Sequence, residues 1–174
     1  MILIYSIFYG ITMKIADLLN EHKLMLFEES QLVFGFLWGF FGSLIILTGG
    51  ETVANIILAM NLAFIIRNRL DYPNHQVASS LVIISFLIAS HFNIKIFVIF
   101  YAIFAIFGSL KDYTGDILKN NTGLAKASEA MLYYPIPAFI YSIFTGSWMI
   151  FGIFALYTIS YDITKYIYAL KGYK

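Results

Sequence analysis

Charge is absent from this chain for long stretches, and that constrains its fold more than any motif does. No Asp, Glu, Lys or Arg occurs in 30–50, 52–66, 76–89, 96–110 or 130–161. Crossing the hydrocarbon of a bilayer takes about 20 apolar residues, with about 17 as the lower limit. A soluble domain carries about 25% charged residues, whereas here the figure is 12%, with 60% hydrophobic residues and a mean hydropathy of +0.80. The expected fold class is all-α, a polytopic transmembrane helical bundle forming one domain over 1–174. The expected location is the cell membrane, multi-pass. The first 13 residues are apolar, with no basic region before them and no small-residue cleavage site after. They read as a first transmembrane helix rather than a cleaved signal.

The apolar runs predict helices over 1–20, 31–48, 51–69, 77–90, 93–110, 130–144 and 147–168. The third and fourth reach across if arginines snorkel and helix ends extend into the interface. The run 130–161 is too long for one crossing, since about 32 residues at 1.5 Å each make about 48 Å, and "TGS" at 145–147 offers a turn. Seven helices is the reading and six the alternative. With seven, ten of the eleven Lys and Arg residues fall on one side, together with nine of the ten acidic residues. The positive-inside rule makes that side cytoplasmic, with the N-terminus outside and the C-terminus in the cytoplasm. A single helix over 130–161 would move Lys165, Lys171 and Lys174 to the wrong side.

The charged side gathers the candidate site residues. Asp17 and Glu21 stand one turn apart at the end of the first helix and share a face. Asp112 and Asp116 do the same at the end of the fifth, in "SLKDYTGDILKNNTGLAK" (109–126), among Lys111, Lys119 and Lys126. Arg67, Arg69, Asp71, Asn74 and His75 sit at the end of the third helix. Magnesium takes one or two carboxylates plus phosphate oxygens, so facing carboxylate pairs suit a metal-bridged diphosphate, with Lys and Arg neutralising the rest. The bland reading is a set of solvated helix ends, with His75 and His22 as interfacial loop residues. The chain contains no cysteine, which excludes disulfides, thiolate metal sites and a cysteine nucleophile. The net charge of +1 decides nothing about charged partners, and nucleic acid is not among those expected.

The order of these segments resembles the UbiA superfamily of intramembrane prenyltransferases. That family carries N-D-x-x-D-x-x-x-D and D-x-x-x-D motifs on cytoplasmic helix ends four helices apart. "KDYTGDILKNNTG" is similar to the second motif, which makes Asp112 and Asp116 its acidic pair and Lys119 a phosphate-side cation. "FIIRNRLDYPNHQVASSLVI" looks like the basic connection between the motifs, so Arg67, Arg69 and Asn74 correspond in kind. In "KIADLLNEHKL" Asp17 keeps its place, with Glu21 one step out of register; Ala16, Asn20 and Leu24 stand where the family has Asn and two Asp. The resemblance implies a polyprenyl diphosphate or other lipid as ligand, with Mg held by Asp17, Glu21, Asp112 and Asp116. It gives Asp17, Asp112 and Asp116 catalytic roles, and Arg67, Arg69, Asn74, Lys111 and Lys119 substrate-binding ones. A non-catalytic lipid-binding or transport protein, or a membrane-complex subunit, is the alternative. An intramembrane aspartyl protease is a third reading, although "DYTGD" lacks the first glycine of the G-x-G-D motif it wants.

Overall fold

The structure, a computed structural model, describes residues 1–22, 24–114 and 132–173. Among the described residues it is built of helices alone, six of them: α1 Ile2–Glu21, α2 Ser30–Ile66, α3 Pro73–Ala89, α4 Ile94–Asp112, α5 Pro135–Thr145 and α6 Trp148–Leu170. Of these, α1, α2 and α4 are long and apolar enough to cross a membrane. α3 and α5 are shorter apolar helices.

The two helices expected over 31–48 and 51–69 form the single element α2, interrupted at Gly50, whose φ of 76° and ψ of 177° are not helical. Glycine adopts such a φ without steric cost. The contacts of α2 show what the interruption does. Before it, Gly35 lies against Asn74, Gly39 against Ala78 and Gly42 against Val82, so this half runs parallel to α3. After it, Asn61 donates to Ser79 and Asn55 to the His91 carbonyl, so that half runs antiparallel. The chain therefore reverses inside α2.

α3 begins at Pro73 rather than at 77, because a proline in the first helical turn loses no hydrogen bond and arrives with its φ already set. The turn expected at "TGS" separates α5 from α6. Gly146 ends α5 in the left-handed conformation, φ 73°, and its N–H donates to the Ser142 carbonyl at 2.8 Å, a common way for a helix to stop.

Packing is close where side chains are small. A Cβ on Gly39 would stand 2.8 Å from Ala78 Cα, and one on Gly35 would stand 2.5 Å from the Asn74 carbonyl oxygen. Small residues spaced in this way let helix backbones approach within a membrane. Elsewhere aromatic rings fill the core. Tyr157 meets the edges of Tyr9 at 5.2 Å and Tyr134 at 5.3 Å, and Phe104 meets Tyr134 at 5.5 Å. Leu87, Ile88, Ile106 and Phe144 lie exposed on the outside, which suits a lipid surround.

Helix directions collect the charged ends. α1 runs parallel to α6, with Met13 beside Tyr157 and Asp17 beside Tyr161. The second half of α2 runs parallel to α4, with Glu51 near Asn93 and Arg67 near Asp112. The C-terminal ends of α1, α2, α4 and α6 thus share one end of the bundle with the N-terminal end of α3. Gly50, the α3–α4 link and Gly146 lie at the other.

Candidate functional site at the charged end of the bundle

Two arginines and one carboxylate form the most ordered part of this end. Arg67 follows directly on α2, and Asn68 after it takes a left-handed φ of 56°, a conformation Asn tolerates better than most residues. That turn brings Arg69 back beside Arg67. The Arg67 Nε–H donates to Asp112 Oδ2 at 2.9 Å and its Nη2–H to Oδ1 at 2.8 Å, while Arg69 Nη2 also donates to Oδ1. The Arg67 side chain is only 7% exposed, against 23% for Asp112 and 40% for Arg69. Gly108, one turn before Asp112, leaves space that the Arg67 guanidinium occupies; a Cβ there would collide with it.

Asp17 has a second set of partners. Its Oδ2 accepts the Tyr161 hydroxyl at 2.7 Å, and its Oδ1 has His75 Nε2 as a neighbour at 3.4 Å. The Lys14 ammonium stands over the Tyr161 ring, 5.2 Å from its centroid. The other nitrogen of His75, Nδ1, is 3.2 Å from the Arg69 carbonyl oxygen, and Asp71 lies 3.7 Å away. Trp38 and Tyr72 meet the imidazole edge-on at 5.5 and 5.4 Å. A continuous path of neighbours thus runs from Asp17 through His75 and Arg69 to Asp112.

The remaining predicted site residues fall around this path. Asn74 is buried; its Oδ1 accepts from Asn20 Nδ2 at 2.7 Å and from the His75 backbone N–H at 2.9 Å, and its Nδ2 donates to the Ala16 carbonyl. It joins α1 to α3. Lys111 is half-buried and feels the charges of Asp17, Arg67, Lys165 and Asp112. Glu21 is about half-exposed, 3.9 Å from His22. Asp116 and Lys119 lie outside the described residues.

The donor chemistry for magnesium exists here, but the described arrangement does not assemble it. Asp112 gives its oxygens to guanidinium groups, and Asp17 faces Tyr161 and His75. Among the described residues no three His, Asp or Glu side chains gather in a way that could hold a metal ion. Tyr161 and Lys14 belong to the site and were not among its predicted members. His75, expected in an interfacial loop, is buried on α3. Comparison with models of protein families, with curated proteins and with solved structures finds no match. What the chain does is therefore to be read from these side chains, because a helical bundle by itself hosts many functions.

Proposed function

We propose that this chain is a multi-pass protein of the cell membrane that binds a polyprenyl diphosphate at its charged end, as a short UbiA-like prenyltransferase. In this reading it crosses seven times, α2 twice, with its N-terminus outside and its C-terminus in the cytoplasm. The observation that carries the proposal is the path from Asp17 to Asp112. Two acidic positions far apart in sequence stand at one end of the bundle, with Arg67, Arg69 and His75 between them. Arginine forks match phosphate as well as carboxylate, bidentately. The prenyl chain would lie among the apolar helices.

Transfer breaks the bond between the allylic carbon and the diphosphate oxygen, and the electron pair leaves with the diphosphate. Arg67, Arg69 and Lys111 stabilise the charge that develops there. The acceptor then bonds to the carbon and loses a proton. The assay is diphosphate release from geranylgeranyl diphosphate offered with candidate acceptors in detergent. Release above background that is lost in Arg67→Gln supports the enzyme.

One observation favours the second reading, a lipid-binding protein without turnover. At the two described positions where the UbiA pattern has further aspartates, Asn20 holds α1 to α3 and Leu24 is buried in a small apolar cluster with Leu18 and Leu19. Tight binding with no release under any acceptor would decide for it.

A further inference from the structure

Asp112 is gripped by the two arginines through one fork and one further bond. It receives two parallel N–H groups from Arg67 and a third from Arg69. A carboxylate offers about four lone-pair directions, so most of its capacity to bind a cation is already used. The geometry is the one in which arginine binds phosphate. Arg67 is held by its burial and by the Phe64 ring 5.9 Å below its guanidinium, while Asp112 and Arg69 are accessible. Lys111, the residue before Asp112 on α4, brings a third basic side chain to this end of the bundle. The Asp17 carboxylate, another of the expected ligands, is engaged by Tyr161.

Building on the diphosphate reading above, we infer that recognition is carried by Arg67, Arg69 and Lys111 without a divalent metal. Asp112 serves as an internal counter-ion that holds the two guanidinium groups together until a diphosphate exchanges with it. A metal ligand and a counter-ion respond oppositely to loss of charge. Removing the charge of a ligand loses the metal and the substrate with it. Removing the charge of a counter-ion leaves the guanidinium groups more attractive to an anion.

The experiment titrates the full chain in lipid nanodiscs with geranylgeranyl diphosphate and, separately, with inorganic pyrophosphate. Each titration is run in EDTA and in Mg²⁺ at equal ionic strength. The expected result is a geranylgeranyl diphosphate Kd in EDTA within about threefold of its value in Mg²⁺, with weakening by about tenfold or more in Arg67→Gln. Asp112→Asn, which keeps an acceptor oxygen for Arg67, is expected to bind in EDTA at least as tightly as the wild type. A loss of about tenfold or more on moving the wild type to EDTA overturns the inference while keeping the diphosphate reading. Loss of binding in a folded Asp112→Asn protein does the same. Absence of binding by either probe in either buffer sinks both. Pyrophosphate binding as tightly as the lipid supports metal-free recognition but assigns the site to a soluble diphosphate. The comparison of buffers on the wild type needs no variant to fold.

Discussion

At the scale of single residues, the Arg67–Asp112 pair shows how far a contact's value depends on what is removed. Arg67 is nearly buried, so taking away only its partner leaves a charge with few alternatives. Breaking a buried ion pair from one side costs about 3–5 kcal/mol, whereas replacing both members with apolar groups is often close to neutral. Asp112→Ala is thus expected to lower the thermal unfolding temperature in detergent sharply, and the double variant Arg67→Met with Asp112→Leu to recover most of the loss. Equal loss in both would show that the pair's own attraction carries the stability. Tyr161→Phe removes one hydrogen bond to a carboxylate and is expected to cost about 1.5–3 kcal/mol, measured in the same way. Arg67, Arg69 and Asp112 were legible in the sequence because charges stand out at the ends of apolar runs. Tyr161 was not, since it is one of 13 tyrosines and its partner is 144 positions away. His75 was named but given a loop, because Pro73 reads as a break when in fact it opens α3.

Among the helices, spacing decides more than hydrophobicity. The first half of α2 approaches α3 through Gly35, Gly39 and Gly42, and at Gly39 the nearest atoms of the other helix include backbone. Backbone cannot step aside as a side chain can. Gly39→Ala is therefore expected to cost about 1–3 kcal/mol through overpacking, while Gly152→Ala, whose new methyl group would meet only the end of Leu3 at 3.1 Å, should stay within about 0.5 kcal/mol. Thermal denaturation of the two proteins side by side checks the contrast, and equal losses would refute it. Uncharged runs and their Gly-containing breaks made most helices readable, with ends off by a few residues. The reversal between 31–48 and 51–69 was expected as a link between two crossings; what the runs did not show is that the non-helical backbone there is confined to Gly50. Nor did they show which faces meet, since a helix that is apolar all round carries no stripe to orient it.

For the whole molecule, the polarity of the charges is the main legible property. Burying an ionised group in hydrocarbon is costly, so a chain that crosses as proposed sorts its charges mostly to one end, and that sorting is legible in the sequence. The proposed orientation is tested by Lys171→Cys and Ser147→Cys. An impermeant thiol reagent should label the first only from the cytoplasmic side and the second only from outside, and labelling of both from one side would overturn the seven-crossing proposal. The pairing of the first helix with the last has a consequence in time. Ribosomes add about 5–20 residues per second, so the 144 residues between Asp17 and Tyr161 take on the order of ten seconds to half a minute to make. Only once α2 and α3 have been made can His75 reach the Asp17 carboxylate, and from then until α6 is made the tyrosine hydroxyl is still missing. A chain stopped short of α6 keeps Asp17 in that half-satisfied state, and a nascent protein is thereby distinguishable from a finished one by a single hydrogen bond.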